Sequence, residues 1–323
     1  MSTGPATPGS TDPATPASTD PGTPGNTGPA TPGSTDPAAP GSAGRTGAPL
    51  VSVVVPTRDS GRTIEACLRS VRAQTHPAVQ LIVVDNGSSD ATWPVAARLA
   101  DVVLQAGPER SAQRNAGIAR AAGDWVLWID SDMELAPDVV ERSLAAARDA
   151  GATGVFVPEA STGSGFWARC RALERRCYAG EPRIEAPRLV AAAYLRRTGG
   201  FAAWLAGTED AELRNRMLAD GAGLASADAL IVHDEGRLSL PGVVRKRFYY
   251  GRGLPAYRRA HPGAVSAQAG ATARAMWRHR RLLAADPLHA LGLAVLRTCE
   301  AAAWAAGATA AAAGSTPPWH RRR

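Results

Sequence analysis

Short apolar runs alternate with amphipathic stretches along the chain from Leu50 onward. Runs rich in β-branched or large apolar residues predict buried strands at Leu50–Val55, Leu81–Val84, Asp101–Gln105 and Asp124–Ile129. Between these runs, apolar residues recur at helical spacing and predict helices at Ile64–Gln74, Thr92–Leu99 and Ser111–Ala121. Strand–helix–strand units imply parallel strands joined by right-handed crossovers. The pattern therefore predicts an α/β domain with its site at the carboxyl edge of a mostly parallel sheet.

The second half of the chain is more helical. We expect helices at Pro137–Ala150 and Glu209–Ala219, and another helix that contains Phe166, Trp167, Leu173 and Tyr178. Further strands are predicted at Gly154–Val157, Leu189–Leu195 and Ala229–His233. Beyond Gly236 the pattern is helical and rich in arginine, which predicts a helical C-terminal extension of the α/β domain.

The N-terminal tail differs from the rest of the chain. An octapeptide repeat begins at Pro5 and recurs with its leading proline at Pro13, Pro21, Pro29 and Pro37. Without large apolar residues, this stretch cannot bury enough surface to offset the entropy of ordering, so we expect a disordered tail or spacer. The predicted organisation is a tail at 1–49, an α/β domain at 50–236 and a basic helical region at 237–323. The lack of a secretory signal favours the cytoplasm.

Positive charge is concentrated near the C-terminus. The chain has a net charge of +7. Between Arg237 and Arg297 there are twelve basic residues and one acidic residue, Asp286. Such a block favours an anionic partner, either a membrane surface, a phosphate-bearing substrate or nucleic acid. The alanine-rich stretch Ala301–Trp319 is too weakly apolar for a membrane span, which leaves an interfacial helix or a helix packed on the domain.

Carboxylates follow two of the predicted strands. Asp130 and Asp132 form a D-x-D pair after the run Trp125–Ile129, and Asp85 ends the strand Leu81–Val84. In open α/β sheets the carboxyl ends of strands form the ligand-binding edge. A pair of carboxylates there offers oxygen ligands to Mg²⁺ or Mn²⁺, and the metal can hold a diphosphate. The alternative is an acidic turn or helix cap without catalytic function.

Short motifs occur along the chain in an order that resembles the family 2 glycosyltransferases of the GT-A fold. They are Val51-Ser-Val-Val-Val-Pro-Thr-Arg58, Leu81-Ile-Val-Val-Asp-Asn-Gly-Ser-Ser-Asp90, Ala112-Gln-Arg-Asn-Ala-Gly117, the D-x-D pair, and Gly199-Gly-Phe201 followed by Thr208-Glu-Asp210. The resemblance covers about residues 50–235. It implies a GT-A-type, Rossmann-like, mostly parallel sheet flanked by helices.

The resemblance implies a donor-binding role for several residues. Pro56, Thr57 and Arg58 would line the pocket for the nucleotide base, and Asp85 would accept a hydrogen bond from that base. Asp130 would lie near the ribose. The R-N-x-G segment would add Arg114, although a solvated helix face is an equal alternative for this residue.

The resemblance also implies the residues that act in the reaction. Asp132 would bind Mn²⁺ or Mg²⁺, His233 would add a contact to the metal or diphosphate, and Asp210 would be the catalytic base. The usual Q-x-x-R-W motif of the family is missing, so the run Arg245-Lys246-Arg247, and in it Arg245 and Arg247 above all, is expected to bind the diphosphate. Processive polymer synthesis is therefore not expected.

The predicted function is an inverting, metal-dependent glycosyltransferase. It would move a sugar from a nucleoside diphosphate sugar to the hydroxyl or phosphate of an acceptor. We expect that acceptor to be a cell-envelope glycan or a lipid-linked molecule. One alternative is a sugar-nucleotide-forming nucleotidyltransferase, although the segment Pro56–Gly61 lacks the phosphate loop of such enzymes. Another is a non-catalytic binder of anionic polymers. Peripheral contact with the inner face of the plasma membrane is expected, and nucleic acid is not an expected partner.

Overall fold

The chain folds into two sheets surrounded by helices. A computed structural model describes residues 47–178, 181, 184–205 and 207–314. The strands are β1 Val51–Thr57, β2 Val79–Asp85, β3 Val102–Gln105, β4 Trp125–Trp128, β5 Met133–Leu135, β6 Gly154–Phe156, β7 Glu159–Ser164, β8 Pro187–Ala191, β9 Leu224–Ser226 and β10 Ile231–Arg237. The helices are α1 Ile64–Arg72, α2 Thr92–Leu99, α3 Arg110–Arg120, α4 Val139–Ala150, α5 Phe166–Tyr178, α6 Ala192–Thr198, α7 Glu209–Ala219, α8 Leu240–Gly251, α9 Leu254–Ala260, α10 Ala264–Arg278, α11 Arg280–Ala285 and α12 Pro287–Ala312.

The larger sheet has the strand order β3-β2-β1-β4-β8-β6-β9. Strands β1 to β4 are parallel, β8 is antiparallel to both β4 and β6, and β9 is parallel to β6. The central strand β1 is buried along its whole length because helices cover both faces of the sheet. Val53 and Val55 point into the apolar core on one face, and Val54 points into the core on the other. The predicted α/β class with a mostly parallel sheet is confirmed.

A second, three-stranded sheet has the order β5-β10-β7. Strand β10 is antiparallel to β5, with Ile231 opposite Leu135 and His233 opposite Met133. It is parallel to β7, with Ile231 opposite Glu159. The sequence predicted part of β10 but neither β5 nor β7. The small sheet holds the segment after the D-x-D pair against the segment that contains His233.

The prediction of a strand at Leu189–Leu195 was wrong in its second half. Strand β8 ends at Ala191, and the chain turns directly into helix α6 at Ala192. Tyr194 and Leu195 are buried in this helix, in the same core cluster as Val190. A short apolar run does not distinguish a buried strand from a buried helix, so tertiary packing decided the boundary.

The C-terminal helices pack on the α/β domain. Helix α12 contacts α8 and α5, and α10 also contacts α5. All described residues lie in one compact unit that extends over Ala39–Arg323. Within the described part of the chain, no helix has both the length and the apolar content that crossing a membrane requires. The predicted repeat tail lies outside the described residues apart from 47–49.

Candidate active site

A pocket of about 1230 Å³ lies where β1, β2 and β4 end. Parallel strands deliver their last residues to one edge of a sheet, which explains why predicted site residues distant in sequence meet here. The wall continues onto the C-terminal helices. Predicted residues among the lining are Pro56, Thr57, Arg58, Asp130, Asp132, Asp210, His233 and Arg247.

Arg114 is fully buried behind this pocket and binds two of its carboxylates. Its side chain is 0% exposed and its guanidinium lies 4.2 Å from the centre of the Trp128 ring. Nη2 donates to Asp130 Oδ1 at 2.9 Å, while Nη1 donates to Asp210 Oδ1. The alternative of a solvated helix face is therefore wrong for Arg114. One guanidinium instead joins the end of β4 to the start of α7.

Asp130 is held by two arginines. Besides the bond from Arg114, Arg110 Nη1 lies 3.5 Å from Asp130 Oδ2. Burial by itself would raise the pKa of Asp130, but the two positive charges lower that pKa well below its usual range. Asp130 is therefore ionised, and much of its bonding capacity is already used.

Asp132 is more open and lies beside His233. Its side chain is 41% exposed, and Oδ1 lies 3.3 Å from His233 Nε2. The backbone N–H of Asp234 donates to the carbonyl oxygen of Asp132 at 2.8 Å, so the pairing of β10 with β5 places the histidine here. Burial would lower the pKa of His233, but the hydrogen bond and charge of Asp132 raise it above its usual value.

The donor set of this pair fits a divalent metal. A carboxylate oxygen and an imidazole nitrogen can both bind Mn²⁺, while Mg²⁺ prefers oxygen ligands alone. Within the described residues, no group of three or more side chains of His, Cys, Asp or Glu is arranged to hold a metal ion. Asp132 and His233 would therefore leave most coordination positions to diphosphate oxygens and water.

Glu209 and Asp210 open helix α7, but only Asp210 is accessible. The side chain of Asp210 is 33% exposed, against 4% for Glu209. Burial, and next the charge of Asp210, raise the pKa of Glu209 above its usual value. Both residues line the pocket. Accessibility therefore favours Asp210 as the carboxylate that meets a substrate.

Several buried polar atoms at the pocket have no hydrogen-bond partner within the described residues. They are Thr57 Oγ1, Arg188 Nη1, Thr208 Oγ1, Glu209 Oε2 and His233 Nδ1. Buried polar groups in folded proteins are nearly always paired, so such a cluster marks a place where a polar ligand would complete the bonding.

Sequence reasoning missed three residues that line this pocket: Gln113, Glu159 and Arg188. Arg188 lies on β8, 4.2 Å from the centre of the Trp128 ring, and its Nε donates to Glu159 Oε1 at 2.7 Å. Gln113 Nε2 donates to the carbonyl oxygens of Thr57 and Val84 and so joins the ends of β1 and β2. Gln113 could have been suspected, because it precedes Arg114 in the R-N-x-G segment. The sequence near the other two residues gave no such sign.

Three predicted residues do not have the surroundings that their expected roles require. Asp85 is buried outside the lining, and its carboxylate accepts hydrogen bonds from the N–H and hydroxyl of Ser88. Arg245 is exposed and does not line the pocket. Arg247 lines it, but its Nε donates to Glu300 Oε1 at 2.8 Å. Lys246, the neighbour of both arginines, also lines the pocket.

Comparison with known proteins agrees with this geometry. The chain is 36% identical over 109 residues to the succinoglycan biosynthesis protein ExoO of Rhizobium meliloti, which is 32% of this chain and 31% of that protein. It is 30% identical over 105 residues to the glycosyltransferase AglE of Haloferax volcanii, 30% of this chain and 34% of that protein. The chain thus spans about a third of the length of these curated relatives.

A solved structure shares the fold. It is a mannosyltransferase from Pyrobaculum calidifontis in complex with GDP-Man and Mn²⁺, with a TM-score of 0.56 and 20% identity. The match covers 84% of this chain and 89% of that chain. Residues 52–197 match the profile described as glycosyl transferase family 2. This segment therefore belongs to glycosyl transferase family 2, in a domain of the GT-A fold.

Proposed function

We propose that the protein transfers a sugar from a nucleoside diphosphate sugar to a nucleophilic oxygen of an acceptor, with inversion at the anomeric carbon. The acceptor oxygen would attack the anomeric carbon, the bond to the diphosphate would break, and the proton of the acceptor would pass to a carboxylate. The family of residues 52–197 favours this reaction over nucleotidyl transfer and over a non-catalytic binder.

One observation carries the proposal. The single buried guanidinium of Arg114 bonds to both Asp130 and Asp210. It therefore fixes the position of the candidate base relative to the donor-binding edge of the sheet. Asp210 would accept the proton of the acceptor hydroxyl, and its bond to Arg114 would hold the carboxylate in place at the start of α7. A single-displacement reaction requires one such base and no covalent intermediate.

Asp132 and His233 would hold the metal, which supplies a positive charge that stabilises the departing diphosphate. The presence of an imidazole beside the carboxylate favours Mn²⁺ over Mg²⁺. The Pyrobaculum protein with the same fold was solved with Mn²⁺ and GDP-Man, which supports this choice.

Lys246 is the side chain that we propose for the protein's own contact with the diphosphate. It lines the pocket, and it is the only lysine of the chain. The sequence pointed to the run Arg245-Lys246-Arg247, and to its arginines above all. Arg245 lies outside the lining and Arg247 is paired with Glu300, which leaves Lys246. Helix α8 turns by about 100° per residue, so one of these neighbours can face the pocket while the preceding one faces solvent.

The acceptor would enter between the α/β domain and the C-terminal helices. Aromatic residues line this part of the pocket, including Tyr178, Tyr257 and Trp304. Such rings supply apolar faces that suit sugar rings, and they keep polar groups for hydrogen bonds. The named role of ExoO in succinoglycan biosynthesis supports a glycan or lipid-linked acceptor. On this proposal the domain at 50–236 carries most of the donor site. The region at 237–323 adds Lys246 to the donor site and completes the acceptor site at the cytoplasmic face of a membrane.

The test is release of nucleoside diphosphate from a panel of UDP- and GDP-sugars, with and without Mn²⁺, together with nucleotide binding measured by calorimetry. The proposal expects one donor to bind in a metal-dependent way and to be consumed. The matched control for Asp132→Asn is Asp228→Asn, because Asp228 is fully exposed outside the pocket. Metal-independent binding of every nucleotide, or equal binding by the two variants, would contradict the proposal.

A further inference from the structure

One face of helix α12 packs against α8 and α5. Its buried residues on that face include Leu293, Leu296 and Ala303. Glycines let the backbones of α8 and α12 approach closely. A Cβ on Gly307 would lie 2.1 Å from the carbonyl oxygen of Phe248, and one on Gly251 would lie 2.4 Å from that of Trp304. These contacts set the rotation of α12 and hence the residues that it presents to solvent.

The outward face of α12 is a continuous uncharged stripe. Leu288, Leu291 and Val295 are 64%, 67% and 43% exposed. Their spacing of three and four residues places them on one side of the helix, and the same spacing continues through exposed Thr298, Ala302, Ala305 and Thr309. From 288 to 309 the stripe runs for about 32 Å. Large apolar side chains aligned in solvent are typical of a surface that contacts a partner or a membrane.

Arg297, the charged residue of α12 nearest the stripe, is paired with two carboxylates although its side chain is 42% exposed. Its Nε lies 3.2 Å from Glu174 Oε1, and its Nη1 lies 3.2 Å from Glu300 Oε2. Asp286, before the helix, accepts from the backbone N–H of His289 and lies 2.8 Å from its ring. The stripe itself therefore presents no carboxylate to a partner.

Cations and an exposed tryptophan lie on α10 and α11, the two helices that precede α12 in the chain. Trp277 is 72% exposed, and the guanidinium of Arg280 lies 5.1 Å from its ring centre. Arg274, Arg280 and Arg281 are exposed on α10 and α11 and form no ion pair within the described part of the chain. Both helices lie next to α12 or α5. Exposed leucine, tryptophan and unpaired arginine together are the composition of membrane-surface segments.

We propose that the stripe of α12 and the arginines of α10 and α11 bind the surface of an anionic lipid bilayer. Leu288, Leu291 and Val295 enter the boundary between headgroups and acyl chains, and the arginines attract anionic headgroups. A second copy of the chain fits less well, because a two-fold contact places the same patch on both sides. The arginines would then meet arginines without acidic partners.

This surface also relates the pocket to the membrane. Arg297, Ala301 and Trp304 line the pocket from the same helix that carries the stripe. With α12 on a bilayer, the helix that lines the pocket is also the helix that contacts the lipid. This relation rests on the proposed function, whereas the binding of the bilayer does not. Vesicle binding and sugar transfer are measured separately, so the two proposals can fail independently.

The test is flotation of the full chain with vesicles of phosphatidylcholine mixed with phosphatidylglycerol, at low and high salt. We expect binding at low salt that is weakened by salt and weak on phosphatidylcholine alone. The double variant Leu288→Glu/Leu291→Glu should lower the vesicle partition coefficient by at least about tenfold for each leucine withdrawn from the boundary. Arg280→Gln/Arg281→Gln should lower it less and reduce its salt dependence.

The matched control is Leu218→Glu, a leucine on α7 that is 55% exposed. It should bind vesicles like the unchanged chain, and thermal unfolding should show that all variants are folded. The proposal is overturned if the full chain ignores anionic vesicles, or if the leucine pair and Leu218→Glu bind equally. It is also overturned if light scattering shows a dimer that the leucine pair converts to a monomer while vesicle binding stays unchanged.

Discussion

Replacing Glu300 by glutamine should destabilise the contact between the α/β domain and the C-terminal helices. Glu300 is 4% exposed on α12, and its carboxylate accepts from Arg171 on α5 and from Arg247 on α8. Arg297 adds a bond of 3.2 Å to the other oxygen. Glutamine keeps the size of the side chain but removes the negative charge, so Arg247 would lose the carboxylate to which its Nε is bonded.

The expected loss of folding stability in Glu300→Gln follows from the pKa of Glu300. Burial alone would raise this pKa, but the charges of Arg247 and Arg171 lower it from 4.5 to about 2. At about 1.36 kcal/mol for each unit, the ionised form gains about 3 kcal/mol on folding. Breaking a buried ion pair on one side commonly costs about 3–5 kcal/mol, which agrees. For a domain of this size the loss corresponds to a fall in Tm of roughly 6–12 °C.

The effect should depend on pH with a definite sign. The folded pKa of Glu300 is depressed, so its stabilisation is complete above the unfolded value of 4.5 and is lost as the pH falls through about 2. The difference in stability between the unchanged chain and Glu300→Gln should therefore shrink as the pH is lowered from about 5 toward 2. Thermal unfolding followed by circular dichroism across this pH range measures the difference.

A matched control is Glu65→Gln. Glu65 also lies near two arginines, Arg69 at 2.8 Å and Arg98 at 3.6 Å, but its side chain is 45% exposed. Solvent screens such a pair, so the Tm of this variant should stay close to that of the unchanged chain. Equal Tm values for the two variants, or a Glu300→Gln effect that does not change between pH 7 and pH 3, would refute the reasoning.

Three further predictions concern the pocket. Asp210→Asn should lower kcat by at least about 10²-fold with little change in donor affinity, measured by steady-state kinetics, because it loses the base while Arg114 keeps a partner. Asp132→Asn should abolish turnover and weaken Mn²⁺-dependent nucleotide binding in calorimetry by more than the ~10–100-fold that an outer-shell partner contributes. Lys246→Gln should lower kcat/KM for the donor roughly tenfold to a hundredfold, the worth of one charge-assisted hydrogen bond, while Arg245→Gln stays within about twofold.

Each of these predictions has an outcome that would contradict it. Transfer at the original rate by Asp210→Asn, together with an inactive Glu209→Gln, would move the base to Glu209. Full activity of the unchanged chain in a chelator would remove the metal from the proposal. A larger loss in Arg245→Gln than in Lys246→Gln would mean that α8 presents a different side to the donor.

The strands at the centre of the sheet could be read from the sequence. The runs that became β1, β2 and β4 are mostly apolar because each strand is buried on both faces. Such runs can be recognised from the local sequence without knowledge of the tertiary structure. The D-x-D pair after β4 was readable for the same reason, since polar residues that follow a buried strand must lie at the sheet edge. Helix α7 was predicted with both of its ends because its start and its length are local features.

Contacts between distant segments were decided only by the tertiary structure. Nothing near His233 in sequence indicates that β10 pairs with β5 and sets its ring beside Asp132. Arg188 and Glu159 likewise meet at the pocket through strands in different sheets. Local periodicity reports which side of an element is buried, but it does not report which element covers that side.

The arginines show most clearly that the sequence does not reveal which charged side chains meet. From the sequence, Arg114 could be a solvated side chain, and the family resemblance made Arg245 a phosphate ligand, because charge has no period that reveals its partner. Packing buries Arg114 among the carboxylates of Asp130, Glu209 and Asp210 and leaves Arg245 exposed to solvent. The sequence determined the strands and the residues at their ends, through burial on both faces. The tertiary structure decided which charges meet, because those meetings depend on pairings between strands and helices far apart in the chain.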